Sequence, residues 1–296
     1  MADNFFHAVV RRPIFRLVGL LILTTAICPV PVQAHIGISE EIEAVTAQIQ
    51  DDPEAPELYL LRGDLHRIKG HWSEAIADFQ KVQQLDPDNV AADLGMGRTL
   101  LEQGLYKRAI KHLERALAQQ PDNVRGLVAR AKALRLNGKP LAAAADYNRA
   151  IHTFQEPDKP LPEYYFERAR AFEAAGANYF SAAIQTLDAG MSRLGNIRIL
   201  EDYAIELERK RKNYNAALLR LNRIIDRPVR KEALLTKRGE ILMEADRPAE
   251  AEADFAAARE AIDALPAQRR NTRTMKQLRK DIDSRMHSLK HDGGRE

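Results

Sequence analysis

The fold is decided by two adjoining stretches: residues 56–89, PELYLLRGDLHRIKGHWSEAIADFQKVQQLDPDN, and residues 90–123, VAADLGMGRTLLEQGLYKRAIKHLERALAQQPDN. Set one under the other, they align without a gap over 34 residues each. Gly63 recurs as Gly97, Gly70 as Gly104, Ala75 as Ala109, Ile76 as Ile110 and Pro87 as Pro121. Self-similarity at such a spacing marks a solenoid, in which units that cannot bury an apolar face alone complete one another's core. In the first block, Tyr59, Gly63 and His66 share one helical face, and Ala75, Ile76, Phe79 and Val82 share another. Gly70 lies between them, where a tight turn needs a permissive backbone, and Pro87 ends the second helix.

The pattern extends in both directions. Residues 124–157 keep Ala131, Leu134, Gly138, Ala143, Tyr147 and Ala150. Pro157, Pro160 and Pro162 then forbid a helix, so an extended inter-repeat loop is expected. Residues 162–196 and 197–229 follow, with Ala169, Phe172, Tyr179 and Ala182 returning as Ala204, Leu207, Tyr214 and Ala217. Each has one extra turn residue, and Arg211-Lys212-Asn213 lacks the turn glycine. Residues 230–265 recover Gly239, Leu242, Ala251, Phe255 and Ala258, with Pro248 opening the second helix. Before the array, 35–55 reads as a half-repeat cap, with Ser39 as N-cap, acids Glu40 and Glu41 behind it, and an apolar face of Ile42, Val45 and Ile49. After it, 266–296 reads as a basic capping helix, with Met275, Leu278, Ile282, Met286 and Leu289 on one face and a frayed tail from His287.

A small residue at position 8, Gly at 15, Ala-Ile at 20 and 21 and Pro-Asp-Asn at 32–34 resemble the tetratricopeptide repeat. The resemblance covers about 56–265 and implies an all-α, right-handed superhelical solenoid of six stacked helix–turn–helix repeats, used for recognition. The Leu58-Tyr-Leu-x-Arg-Gly opening and the Ala261-Ile-Asp-Ala-Leu-Pro closing are further similar to secreted bacterial tetratricopeptide proteins of unassigned role.

In that family, positions 2, 5, 9, 12 and 13 of each first helix face a concave groove. Carried over, the groove has a basic middle with apolar spots, and Arg98, Arg125, Lys132, Arg135, Phe166 and Arg170 are the expected partner-binding residues. Its C-terminal end is expected to be acidic, through Glu201, Glu208, Glu232, Glu240 and Glu244, with Arg198, Thr236 and Met243 among them. Some members clamp a chaperone's C-terminal carboxylates. The matching positions here are Leu60, Asp64, Gly95, Arg125 and Ala129, of which only Arg125 suits, so this chain is not such a clamp.

Residues 1–34 read as a secretory signal: Arg11, Arg12 and Arg16 precede the uncharged run 17–32, and cleavage is expected after Ala34. The run is short for a spanning helix of ~20 residues, and a retained membrane anchor is the alternative. Cys28, the single cysteine, would leave with the signal, so stability is expected from helix packing alone. The mature chain would be close to neutral and its groove poor in aromatics, which speaks against nucleic acid.

No Gly-rich phosphate loop, nucleophile elbow or His-Glu-x-x-His motif occurs in the sequence. His66 reads as a packed residue, and His35, the expected mature N-terminus, lacks neighbours that would make it a metal site. The expectation is a periplasmic or secreted, non-enzymatic adaptor without cofactor or metal. It would hold a protein or peptide of acidic or mixed character, with no membrane insertion after cleavage. The alternatives are an accessory or assembly factor for an exported enzyme and a self-associating envelope scaffold.

Overall fold

A computed structural model describes residues 37–155 and 157–292. The expected signal with its cleavage site, Cys28, His35 and Glu156 lie outside the described residues.

From Ile38 onward the described chain is an all-α solenoid of helical hairpins. Helix α1 (Ile38–Asp51) precedes the pairs α2 (Pro56–Ile68) and α3 (Trp72–Leu85), α4 (Val90–Glu102) and α5 (Tyr106–Gln119), and α6 (Val124–Leu136) and α7 (Pro140–His152). Then come α8 (Pro162–Ala174) and α9 (Phe180–Leu194), α10 (Arg198–Lys210) and α11 (Tyr214–Ile225), and α12 (Glu232–Glu244) and α13 (Pro248–Asp263). A short α14 (Ala267–Arg270) leads into α15 (Arg273–Asp292). Each helix packs on its neighbours in sequence, and first helices also touch the next first helix, as α2 does α4, α4 does α6, α6 does α8 and α8 does α10. The first helices thus line the closer, inner wall.

Local chemistry sets these boundaries. Pro56, Pro140, Pro162 and Pro248 each open a helix at its first position, where the missing N–H costs nothing. The Pro-Asp-Asn endings do two things: proline stops one repeat, and the asparagine caps the next. Asn89 accepts from the Ala92 N–H at 3.1 Å, and Asn123 from the Gly126 N–H at 3.0 Å.

Within every repeat but the fourth, the turn is a left-handed residue followed by a six-to-one hydrogen bond. The His71 N–H reaches the His66 carbonyl at 2.8 Å, Leu105 reaches Leu100 at 2.9 Å, and Lys139 reaches Leu134 at 2.8 Å. Gly70, Gly104 and Gly138 hold φ of 77°, 78° and 75°. The fifth and sixth repeats form the same turn without glycine: Lys212 and Asp246 both take φ of 58°. Asn213 bonds to Glu208 and Arg247 to Leu242, at 2.9 Å each.

The core follows the repeat. Gly63 and Gly97 leave room for the bulky residue sixteen positions on: a Cβ on Gly63 would lie 2.9 Å from Phe79, and one on Gly97 2.6 Å from Leu113. Gly95 does the same between repeats, since its Cβ would lie 2.5 Å from Phe79. Phe79, Leu113, Leu187, Leu221 and Phe255 are fully buried, as are the small residues Ala131, Ala169 and Ala204. Burying each of the large side chains contributes about 1.5–3 kcal/mol.

Three local expectations are corrected. Helix α1 begins at Ile38, so Ser39 is inside its first turn, where its hydroxyl meets Lys69 Nζ, and is not the N-cap. In the fourth repeat a 3-10 turn at Ala177–Tyr179 lengthens the connection by two residues, one more than expected. The fully buried alanine is therefore Ala183, and Ala182 is only partly buried. The C-terminal helix does not fray at His287, because its backbone stays helical to Asp292. Ile282 is fully buried there, with Leu278, Met286 and Leu289 packed beside it against the last core cluster.

Candidate binding groove

The first helices α2, α4, α6, α8, α10 and α12 carry the expected binding residues on the inner wall. Along this wall, opposite charges meet across successive repeats. Arg67 Nε lies 3.1 Å from Asp64 and its Nη1 2.8 Å from Glu102, while Arg98 Nη1 is 3.8 Å from Asp64. Burial lowers the pKa of Arg98, with Arg67 adding to the effect and Asp64 opposing it.

Further along, Glu167 sits between Arg135, at 3.3 Å, and Arg170, at 2.8 Å. The first contact is one of charge without an aligned hydrogen bond, since Glu167 Oε2, the oxygen that Arg135 Nη2 approaches, is buried without a hydrogen-bond partner. The Phe166 ring packs on Tyr203 with centroids 4.9 Å apart, and the Arg170 guanidinium lies over Phe166 at 5.9 Å. Tyr203 donates its hydroxyl to Glu173, which also pairs with Lys210. Burial opposes ionisation of Glu173, yet the bonds from Lys210 and Tyr203 hold its pKa below the usual carboxylate value. Burial first, and the Glu173 hydrogen bond second, push the Tyr203 hydroxyl upward.

Of the six expected residues, Arg98, Arg135 and Arg170 are thus engaged within the chain, and Phe166 is held partly buried by Tyr203. Arg125 and Lys132, both on α6, are exposed and make no ion pair with a described residue. Tyr164, near Arg125 electrostatically, packs its ring 6.1 Å from Phe154.

The expectation of an acidic C-terminal wall fails in detail. Glu201, Glu208, Glu232 and Thr236 are buried between helices and do not face a groove. Glu201 accepts from Arg227 at 2.6 Å, Glu208 accepts from Asn213 at 3.0 Å, and Glu232 pairs with Arg230. The other acids are neutralised as well: Glu240 by Arg285 at 2.5 Å, and Glu244 by Arg209. Arg198 pairs with Asp202 on its own helix at 2.7 Å, and Met243 is exposed.

The sequence reading missed Glu167, Tyr203 and Glu173 as parts of this wall. A signal was present: opposite charges recur one repeat apart, as in Arg67 and Glu102, Lys210 and Glu173, and Arg209 and Glu244. His66 is half-buried, with its ring 5.7 Å from that of His71 and its Nδ1 without a partner. A hollow of about 430 Å³ between α9, α10 and α11 is lined by Asp188, Glu201, Arg220, Arg223 and Arg227. Its charges are mostly matched, Arg220 to Asp188 and Arg227 to Glu201 at 2.6 Å each. Among the described residues no group of three or more His, Cys, Asp or Glu could hold a metal ion, and no helix is long and apolar enough to cross a membrane.

Paired helices, left-handed turns at a fixed place and a wall of first helices define a helical-repeat scaffold of the kind that binds proteins or peptides. Residues 66–133 match the family model described as tetratricopeptide repeat, and the described chain has the fold of a solenoid of stacked helix–turn–helix tetratricopeptide repeats. Its fold is similar to the C-terminal part of a TPR repeat-containing protein from Cytophaga hutchinsonii, with a TM-score of 0.59 and 15% identity, covering 77% of this chain and 95% of that one. It is also similar to a tetratricopeptide repeat protein from Parabacteroides merdae, with a TM-score of 0.51 and 15% identity, covering 83% and 92%. In sequence it is 29% identical over 135 residues to the protein O-mannosyl-transferase TMTC1 of Mus musculus, a match covering 44% of this chain. The chain spans only 14% of the length of that relative.

Proposed function

We propose that this protein is an exported, non-enzymatic adaptor that holds an extended segment of another protein against the first-helix wall around α6 and α8. The observation carrying this reading is the pair Arg125 and Lys132, exposed on α6 without an ion pair to a described residue, with α6 touching α8, the helix that carries Phe166 of the Phe166–Tyr203 ring pair. Cations with no ion pair to a described residue keep their charge available for a carboxylate, and an aromatic ledge further along the same wall suits an apolar side chain of the same segment. The bound segment is therefore acidic or mixed in character. Arg98, Arg135 and Arg170 act by shaping the wall, because binding through them would first have to break their contacts to Asp64 and Glu167.

Export rests on the charge and apolar pattern of residues 1–34. Fractionation followed by N-terminal sequencing tests it: a chain beginning at His35 in the envelope or medium supports it, and an intact N-terminus in the cytoplasm overturns it.

The groove is tested by crosslinking the tagged protein in its native cells, then repeating the capture with Arg125→Glu and Lys132→Glu together. Loss of the captured partner, and a smaller salt dependence of what remains, is expected. Unchanged capture by the double variant overturns the assignment of this patch.

A further inference from the structure

Among the described residues, the two ends of the solenoid are charged oppositely and close on opposite halves of a repeat. At the first end, residues 37–61 contain no Lys, Arg or His. Glu43, Asp51, Asp52, Glu54 and Glu57 are exposed there and form no ion pair with a described residue. At the last end, residues 264–280 contain no Asp or Glu. Arg269, Arg273, Lys276 and Lys280 are exposed there and likewise unpaired. The last three lie at i, i+3 and i+7 of α15, on one helical face. This differs from the interior, where most cations of the wall have an acid within reach.

Helix order gives the second observation. Helix α1 packs on α2 from the place a second helix would take, and no first helix precedes it among the described residues. Helix α15 packs on α13 from the place of a first helix, and no second helix follows it there. Among the described residues each end is half a repeat, and each half is of the kind that the other end calls for.

We infer that the basic face of α15 docks on the acidic end at α1 of a second copy of this chain, giving head-to-tail association. A single copy then keeps one free end of each kind, so the contact is heterologous and extends linearly instead of closing as a pair. The apolar residues Val45, Ile49 and Ile282 are already buried within their own copy. The contact therefore works through charge and is salt-sensitive, in contrast to a hydrophobic dimer seam. A lipid or an unrelated acidic partner would satisfy α15 alone; only a second copy satisfies both ends at once.

The test is sedimentation velocity of the full-length protein over a range of concentrations, at low salt and at 1 M salt. Three proteins are compared: the natural chain, an acid-end variant (Glu43→Lys, Asp51→Lys, Glu54→Lys) and a basic-end variant (Arg273→Glu, Lys276→Glu, Lys280→Glu). All six positions are exposed, and matching helical spectra and melting curves establish that the variants fold. The natural chain should show a sedimentation coefficient that rises with concentration at low salt and is flat at 1 M. Each variant alone should be flat at both. An equimolar mixture of the two variants should associate again, because one then has two basic ends and the other two acidic ends. A natural chain that is flat at low salt, a variant that associates like the natural chain, or a mixture that stays separate overturns the inference.

Discussion

Arg130 donates from Nε and Nη2 to the two carboxylate oxygens of Asp146, at 2.6 and 2.7 Å, joining the two helices of the third repeat. The same bidentate pair, also sixteen residues apart, joins Arg62 to Asp78 and Arg238 to Asp254. Asp146 is nearly buried, with 6% of its side chain exposed, so removing it strands a half-buried guanidinium. Asp146→Ala should cost about 3 kcal/mol in urea denaturation. Arg130→Met with Asp146→Leu together should cost much less than the two single changes added. Equal costs for the double and the sum would show that the pair does not act as a unit.

The fourth repeat makes a contrast. Arg168 has a buried Nε with no partner, and its guanidinium lies over the Phe172 ring at 5.4 Å. Burial lowers its pKa. An incompletely paired buried cation is costly to keep, so Arg168→Met should be neutral or stabilising by about 1 kcal/mol. Arg130→Met, measured beside it, should destabilise.

The turn residues Lys212 and Asp246 occupy left-handed backbone that a side chain disfavours by about 1–2 kcal/mol. Lys212→Gly should raise stability by about 0.5–1 kcal/mol, the gain being reduced by the extra freedom glycine has when unfolded. Gly104→Ala, at φ of 78°, should lower it by about 1 kcal/mol. Melting temperatures of the three proteins check both signs.

Gly95 is where two repeats press together. Gly95→Ala puts a methyl 2.5 Å from the Phe79 ring, and overpacking of this kind costs about 1–3 kcal/mol, against roughly 1 kcal/mol gained in helix propensity. Net destabilisation is expected, and Phe79→Leu in the same chain should recover part of it. If Gly95→Ala stabilises, the two repeats are not held at this distance.

His66 supplies a pH dependence with a definite sign. Burial, aided by Arg62 and opposed by Asp78, holds its folded pKa below 6.5. The unfolded chain therefore takes up this proton more readily than the folded one. The associated stability is complete above about 6.5, the unfolded value, and is lost as pH falls from there through the lower folded value. The melting temperature should drop between pH 7.5 and 5, and His66→Gln should show a smaller drop.

Much of the fold was legible because its rules are local. The period, the Gly70, Gly104 and Gly138 turns, the Pro-Asp-Asn endings and the apolar faces around Phe79, Leu113 and Phe255 are all readable from spacing alone. Where an extra residue entered, as at Ala177–Tyr179, the reading slipped by one, because a 3-10 turn absorbs a residue with no compositional mark. The left-handed turns at Lys212 and Asp246 were equally silent: the flanking helices and the six-to-one bond impose a conformation that the residues themselves would not choose.

The sequence by itself determined that this chain stacks helical hairpins at a 34-residue period, because glycine, proline and small residues act on the backbone within a few positions. Which charges remain available was decided only by tertiary structure. Glu201 and Glu232 read as wall acids and are buried; Arg135 and Arg170 read as free and share Glu167; Arg125 and Lys132, on the same wall, make no ion pair with a described residue. A residue's counter-ion lies one repeat away in sequence but a few ångströms away in space. That distance depends on how successive hairpins are offset, and helix spacing within a single repeat does not contain it.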